Sequence, residues 1–178
     1  NERGAVDATR HLLALGHTRI GYITGQSNHF ISQERMSGYK SALAEVDIEF
    51  DPVLVREGNY GDPSSGHQQA QALLDLNDPP TAIFCANDLL AVGAMRAVQE
   101  RGLFVGRDVS IIGFDDIALA SIVFPPLTTV RQPIARMGER ALDLLLMQMR
   151  GHNVPPSLTN RLQTELVIRE SSKRLARN

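Results

Sequence analysis

The fold is decided by residues 80–116, which read PTAIFCANDLLAVGAMRAVQERGLFVGRDVSIIGFDD. The first part, Thr81–Ala86, is apolar enough for a buried strand. Apolar residues then recur every three or four positions over Asp88–Arg101, which predicts a helix that Gly102 ends. The run Val109–Phe114 predicts a second strand, which is apolar enough to be buried on both faces. A strand, a helix and a strand joined by short connections indicate two parallel neighbours in one sheet.

The same alternation extends over almost the whole chain. Further strands are predicted at Arg19–Thr24, Val53–Val55, Leu127–Arg131 and Leu162–Arg169, and further helices at Glu2–Leu15, Gln33–Val46, Pro63 to before Asp78, and Pro133–Arg150. The predicted fold class is therefore α/β, with a doubly wound parallel sheet. Because the chain opens with a helix, we expect the first strand of this fold to lie upstream of Asn1.

Composition excludes several classes of function for this chain. It has 178 residues, 43% of them apolar, which suits one globular domain or one domain and a piece of another. Its 18 Lys and Arg against 20 Asp and Glu give a net charge of −2, so we expect the chain by itself not to bind DNA. The basic end Lys173–Arg177 is expected to be a solvated tail. With no run of 18 apolar residues, no membrane partner is predicted.

The sequence carries no local signature of catalysis or of cofactor binding. It has no G-x-S-x-G elbow, no G-x-G-x-x-G dinucleotide fingerprint and no P-loop. Cys85, the only cysteine, excludes an internal disulfide and fits a reducing, cytoplasmic compartment. The five histidines lack the spacing of metal ligands, and His11 and His17 are predicted on the surface. We therefore predict no catalytic residue, no metal site and no cofactor.

Polar residues follow four predicted strands at the point where each strand ends. These groups are Gly25–Asn28, Asn59–Tyr60, Asn87–Asp88 and Asp115–Asp116. In open parallel sheets, ligands bind outside the carboxyl ends of the strands. The pattern therefore predicts a binding cleft at this edge, without naming its ligand.

Each polar candidate also has a purely structural interpretation. Asn87 or Asp88 would serve equally well as the N-cap of the following helix. The pair Asp115–Asp116 is typical of a Mg²⁺ or acid/base site, but also of an ordinary turn. Arg35, near a predicted helix start, would bind an anionic or hydroxyl-rich ligand or form a salt bridge with Glu34 or another acid. Tyr60 would stack on a ligand ring or cap the sheet edge.

The helix Asp88–Arg101 has apolar residues on two sides. Leu90, Ala94, Ala97 and Val98 form a core face, whereas Leu89 and Val92 lie on the opposite side beside Arg96. A helix that is apolar on both sides is expected to be covered twice. A partner subunit is a plausible second cover, and the apolar stretch Leu119–Phe124 would extend that patch.

Six segments in order resemble the LacI/GalR family of bacterial transcription regulators. The first three are LGHTRI (15–20), RMSGYKSAL (35–43) and PTAIFCAND (80–88), and the last three are VSIIGFDD (109–116), PPLTTV (125–130) and LVIRESS (166–172). Each segment alone has low specificity for the family, but together the six segments span nearly the whole chain. One departure is Gly106-Arg107-Asp108, where the family commonly has Pro-x-Asp.

The resemblance implies a periplasmic-binding-protein-like core of type I, with two subdomains and the effector between them. Residues 1–127 would form the C-terminal subdomain and residues 158–178 its closing strand and tail. Residues 128–157 would cross into the N-terminal subdomain and contribute the helix Pro133–Arg150. The helix-turn-helix that binds operator DNA would lie upstream of Asn1. With half of the cleft outside the chain, weak or no effector binding is expected of it alone.

The resemblance also implies the functional residues. The effector positions correspond to Arg35, Tyr60, Asn87, Asp115 and Gln132, with residues 28–31 as a variable loop that tunes ligand choice. The dimer-interface positions correspond to Leu89, Val92, Arg96, Leu119 and Val123. A small effector would shift the subdomains, and a homodimer would transmit the shift to the DNA-binding heads.

The convergence of Arg, Asn and Asp with an aromatic ring favours a sugar or sugar derivative as effector, with a purine or nucleoside next. Two rival functions remain. A periplasmic sugar-binding protein would share the fold, but the second apolar face of the Asp88–Arg101 helix argues against it. An enzyme that uses Asp115–Asp116 with a metal is the other rival.

Overall fold

The computed structural model describes residues 1–150 and 161–175, which form one mixed sheet flanked by helices. The strands are β1 (Ile20–Thr24), β2 (Val55–Glu57), β3 (Ala82–Cys85), β4 (Ser110–Asp115), β5 (Thr128–Arg131) and β6 (Glu165–Val167). The α-helices are α1 (Glu2–Ala14), α2 (Phe30–Ala44), α3 (Pro63–Leu74), α4 (Asp88–Glu100) and α5 (Ile134–Met149).

The strands lie in the order β2-β1-β3-β4-β5-β6. Neighbours from β2 to β5 are parallel, and β6 pairs antiparallel with β5. β1 and β3 are buried throughout, which explains their continuous apolar sequences. The predicted doubly wound α/β class is confirmed, with one antiparallel strand at its edge.

Two pairs of helices flank the sheet. α1 packs against α2 and also contacts β5 and β6, while α3 packs against α4 and also contacts β1 and β2. The α3–α4 contact depends on Gly93, where a Cβ atom would lie 1.9 Å from the carbonyl oxygen of Pro63. The parallel strands and their crossover helices bring the carboxyl ends of β1, β3, β4 and β5 to one edge.

The strand predicted at Val53–Val55 is wrong by about two residues. Asp51 accepts a hydrogen bond from the Val53 N–H (2.9 Å), and Pro52–Leu54 forms a 3₁₀ turn instead. β2 therefore begins only at Val55. The short apolar run is consistent with either structure, and the capping aspartate and proline decide between them.

His17 is buried, contrary to the predicted surface position. It is 2% exposed, and its ring nitrogens contact Thr81 Oγ1 (2.9 Å) and the Lys173 carbonyl oxygen (3.0 Å). The Leu175 N–H also donates to the Leu15 carbonyl (3.0 Å). Backbone hydrogen bonds therefore fix residues 173 and 175, whereas Lys173 and Arg174 are exposed, in line with the predicted solvated tail. Residues 176–178 lie outside the described residues.

α5 has no buried residue, and its apolar side chains include Ile134 (60% exposed) and Met149 (75% exposed). The division into residues 1–127, 128–157 and 158–178 stays a prediction, and its parts at 151–160 and 176–178 lie outside the described residues. The sheet itself continues past residue 127, because β5 pairs with β4. Within the described ranges, no helix has the length and apolar character needed to cross a membrane.

Candidate functional site

Arg35 is the centre of the polar cluster at the carboxyl edge of the sheet. α2 begins at Phe30 rather than at the predicted Gln33, so Arg35 lies in its second turn and points inward, 3% exposed. Its guanidinium group donates to Asn1 Oδ1 (3.1 and 3.0 Å), to the Ala86 carbonyl oxygen and to Asp115 Oδ1 (3.1 Å). Its Cζ also lies 3.7 Å from the centre of the Phe114 ring. The salt-bridge partner is thus Asp115 and not Glu34.

Asp115 joins Arg35 to Gln132. Asp115 Oδ1 also accepts a hydrogen bond from Gln132 Nε2 (2.6 Å), while its side chain remains 30% exposed. Burial raises the pKa of Asp115, and the charge of Arg35 and the two hydrogen bonds only partly offset this. A half-exposed carboxylate with a fixed orientation suits the recognition of ligand hydroxyl or N–H groups.

Asp116 is more buried than Asp115 and forms two ion pairs. Its Oδ1 accepts from Arg169 (2.7 Å) and its Oδ2 from Arg131 (2.6 Å), and its side chain is only 7% exposed. Burial raises the pKa of Asp116, but the two guanidinium groups outweigh this effect and lower it overall. The two carboxylates thus face different cations, and positive φ angles of 112° and 55° turn the chain here. Over residues 1–150 and 161–175, no three His, Cys, Asp or Glu side chains are grouped to hold a metal ion.

Asn87 is the N-cap of α4, as its structural interpretation predicted. Its Oδ1 accepts from the Leu90 N–H (2.9 Å), and the residue is 8% exposed. Capping occupies the side-chain oxygen, so the Nδ2 amide group is the part that would donate to a ligand.

The Tyr60 ring packs closely against Gly25, just after β1. A Cβ atom at Gly25 would lie 2.0 Å from the Tyr60 ring, so only glycine permits this contact. The Tyr60 hydroxyl accepts from Ser32 Oγ (3.2 Å). The His29 ring lies nearly parallel to the Tyr60 ring, with an interplanar angle of 10° and centroids 6.2 Å apart. The ring is therefore held in a fixed position beside the polar cluster.

Three residues of the cluster were missed by sequence reasoning. Asn1 orients Arg35, Phe114 covers its guanidinium face, and Ser32 anchors Tyr60. A signal existed for Phe114, because it precedes Asp115 in a buried strand. Nothing local in the sequence connects Asn1 or Ser32 to the cluster.

A large cavity lies beside this cluster rather than over it. It has a volume of about 860 Å³ and lies between α1, α5 and residues 161–164. Gln132 is the only predicted effector residue that lines this cavity. Asn1, which contacts Arg35, lines it as well. We therefore place the candidate site where the contacts of Arg35 and Asp115 converge, and not in this cavity.

The predicted dimer residues lie on the surface side of α4 and of the loop after β4. Arg96 is exposed and pairs with Glu100 (2.7 Å), and Leu89 and Val92 are half-buried. In the loop, Leu119 is 37% exposed and Val123 packs partly against the core. Their neighbours Ile122 (74%) and Phe124 (82%) are the more exposed apolar side chains.

A model of the periplasmic binding protein-like domain matches residues 9–172. The chain belongs to this family. Its matching relatives are transcriptional repressors: CytR of Escherichia coli K12 (41% identity; 98% of this chain and 51% of that protein) and PurR of Aliivibrio salmonicida (37%; 98% and 52%). The ribose operon repressor of Haemophilus influenzae is 40% identical, over 94% of this chain and 50% of that protein.

Solved structures of LacI-type regulators superpose closely on this periplasmic binding protein-like domain. The regulator CelR in complex with cellobiose has a TM-score of 0.91 at 35% identity, covering 97% of this chain and 52% of that one. A dimeric lac repressor with an 11-residue C-terminal deletion has a TM-score of 0.89 at 36% identity, covering 98% and 62%.

These matches confirm the LacI-type effector domain predicted from the six sequence segments, and they do not support the periplasmic sugar-binding alternative. The chain spans about half the length of the curated relatives it matches.

Proposed function

We propose that this domain senses a small effector in the cleft at the carboxyl edge of its sheet, for a dimeric repressor that binds operator DNA through another domain. The observation that carries the proposal is the fixed geometry of Arg35. This buried cation ties α2, β3 and β4 together and presents Asp115 and Gln132 at one place. A ligand that contacts these groups acts on three elements at once, which is what an allosteric sensor requires.

A sugar or sugar derivative is the favoured effector class. A carboxylate and amide groups held at fixed positions suit neighbouring ligand hydroxyl groups, and the Tyr60 ring suits the apolar face of a sugar ring. The relative named as a ribose operon repressor and the CelR complex with cellobiose support this class. A purine or nucleoside is the second candidate, because the nearly parallel His29 and Tyr60 rings suit a planar ligand.

The remaining parts of the proposal follow from the class of protein. The relatives are repressors, so we propose no catalytic role, no cofactor and action in the cytoplasm, where operator DNA is found. Arg35, Tyr60, Asn87, Asp115 and Gln132 would contact the effector. Leu89, Val92, Arg96, Leu119 and Val123 would lie in the homodimer interface.

The test is thermal unfolding of the full-length protein with D-ribose, cellobiose, adenosine and a set of amino acids. At a hundred times its dissociation constant, a ligand adds about 2.7 kcal/mol to the free energy of unfolding, which raises Tm visibly. We expect a sugar to raise Tm and Asp115→Asn to abolish the rise. Asp75→Asn is the matched control, since Asp75 pairs with Arg101 away from the cleft.

Two results would contradict the proposal. If none of the sugars or nucleosides raises Tm of the wild type, the effector class is wrong. If Asp115→Asn keeps the full rise, the ligand binds elsewhere, for instance in the cavity between α1 and α5.

A further inference from the structure

Asp88 connects three segments that the proposed function treats separately. It is the first residue of α4 and is 1% exposed. Its Oδ1 accepts a hydrogen bond from Thr129 Oγ1 on β5, and its Oδ2 accepts from the Ile117 N–H (2.8 Å) in the loop after β4. One carboxylate therefore holds α4, β5 and this loop together.

The contact of Asp88 with Thr129 lies two residues before the polar cluster of Arg35, Asp115 and Gln132 along the paired strands β4 and β5. Thr129 is the register partner of Gly113 on β4, and a Cβ atom at Gly113 would lie 2.2 Å from Asp88 Oδ1. Glycine at this position thus makes room for the carboxylate. Two residues further along the strands, which is about 7 Å, the next such pair is Asp115 and Arg131. Asp115 is the residue that contacts Arg35 and Gln132.

The second contact of Asp88 reaches the exposed apolar surface. Ile117 leads into the 3₁₀ turn Ala118–Ser121, which is followed by Ile122 and Phe124. Ala120 fixes the middle of this segment, because it is buried and its carbonyl accepts from the Leu127 N–H (2.8 Å). The Ile117 amide holds the start of this segment and the Ala120 carbonyl its middle, so both contacts determine where the exposed side chains lie.

The environment of Asp88 is unusual for a carboxylate. Its pKa is raised to about 6, chiefly by burial and to a lesser extent by the charges of Asp115 and Asp116, while the hydrogen bonds from Thr129 and from the Ile117 N–H oppose the rise. Loss of this side chain would leave the buried Thr129 hydroxyl and the Ile117 N–H without their acceptor.

We propose that Asp88 is the positioning residue that couples occupancy of the cleft to the dimer surface formed by residues 117–124 and α4. The coupling rests on the proposed effector-regulated dimer and assigns a route within it. A ligand that moves Asp115 or Gln132 displaces the adjoining ends of β4 and β5. Asp88 passes this displacement to Ile117, because it is bonded to both segments.

The experiment measures the dimer dissociation constant of the full-length protein by analytical ultracentrifugation, with and without saturating D-ribose, cellobiose or adenosine. Isothermal titration on the same samples gives the affinity for each probe. The variants are Asp88→Ala, which removes both acceptors, and Asp88→Asn, which keeps an acceptor for Ile117 and a donor toward Thr129. Thr129→Val keeps the shape of that side chain but removes one contact. Asp62→Ala is the matched control, since Asp62 accepts from the Ser64 N–H at the start of α3.

We expect a bound probe to change the wild-type dimer dissociation constant by about fivefold or more. In Asp88→Ala this change should fall to about one, while the probe affinity stays within about threefold of wild type. Asp88→Asn should restore most of the change, Thr129→Val should reduce it in part, and Asp62→Ala should leave it intact. Thr129→Val carries the test if Asp88→Ala does not fold.

The proposal is overturned if Asp88→Ala or, failing that, Thr129→Val keeps the wild-type change, or if a probe binds the wild type without altering its dimerisation. If no probe binds the wild type, or if the wild type is monomeric, the proposed function itself has failed and the coupling falls with it. The binding signal and the oligomeric state of the wild type distinguish these cases.

Discussion

Arg35 is the residue on which most polar contacts of the candidate site converge. Its planar guanidinium group donates in three directions within the plane, and its flat face lies on the Phe114 ring. A lysine would offer a single point charge and no flat face, so it could not hold Asn1, Ala86 and Asp115 together. The orientation of the Asp115 carboxylate therefore depends on an arginine at this position.

Asp88 should give the protein a measurable pH dependence of stability. Its folded pKa of about 6 is above the ordinary value of 3.8, so its stabilising effect is complete below about pH 4 and is lost as the pH rises through 6. Asp88→Asn does not titrate. We expect the free energy of unfolding of the wild type, relative to this variant, to fall by about 3 kcal/mol from pH 4 to above pH 6.

Urea unfolding of both full-length proteins across this pH range measures the difference. The neutral variant also serves as the control for all other titrating groups, which are shared. A difference that stays constant with pH would show that the pKa of Asp88 is the same in the folded and the unfolded chain.

Single residues differed in how far the sequence predicted their roles. Asn87 and Asp115 were predicted to lie at one edge of the sheet, because polar residues at the ends of parallel strands meet there. Their contact with an effector stays a prediction. The sequence did not distinguish the role of Asp116 from that of Asp115. The partners of Asp116, Arg131 and Arg169, are distant in the sequence and become its neighbours only through β5 and the end of the chain. His17 was placed on the surface for the same reason.

Among the elements, the α3–α4 pair depends on the absence of a side chain at Gly93. We expect Gly93→Ala to lower the free energy of unfolding by about 2 kcal/mol, because the new Cβ atom overlaps the Pro63 carbonyl and forces the helices apart. Urea unfolding of the 178-residue chain measures this change.

Gly138→Ala is the control for the effect of alanine itself. Gly138 lies inside α5, and no described atom lies within 4 Å of a Cβ atom built there. Alanine should therefore stabilise by about 0.5–1 kcal/mol through its helix propensity. Equal effects of the two substitutions would mean that the close contact between α3 and α4 is easily relieved.

Elements with strong periodicity were predicted to within a few residues, α4 and β4 among them. β2 is shorter than predicted because the Asp51 cap outweighed the pattern. α2 also begins three residues before its predicted start. The antiparallel direction of β6 was not predictable, because the alternation of strands and helices says nothing about a strand that returns after α5.

At the scale of the whole molecule, we expect the strength of self-association to depend on the exposed apolar side chains of Ile122 and Phe124. We expect Ile122→Ser and Phe124→Ser each to weaken the proposed dimer of the full-length protein by about tenfold or more, without lowering monomer stability, because both side chains are exposed in this chain. Sedimentation equilibrium measures the dissociation constant.

Phe104→Ser is the matched control for this prediction. Phe104 is 57% exposed, and its ring lies against Arg107. Both residues belong to the loop between α4 and β4, whereas Ile122 and Phe124 lie in the loop after β4. Its substitution should leave the dimer unchanged. If Ile122→Ser and Phe124→Ser have no more effect than Phe104→Ser, the interface lies on another surface.

The sequence by itself determined the α/β class, the edge at which the polar residues meet and the family to which the chain belongs. These properties depend on local periodicity and on the order of motifs, which a single chain displays directly. Only the tertiary structure decided that Asp115 contacts Arg35 and stays partly exposed, that Asp116 is held by Arg131 and Arg169, and that Asp88 holds three segments together. The physical reason is that hydrogen-bond partners determine each role, and these partners lie 80, 53 and 41 positions away.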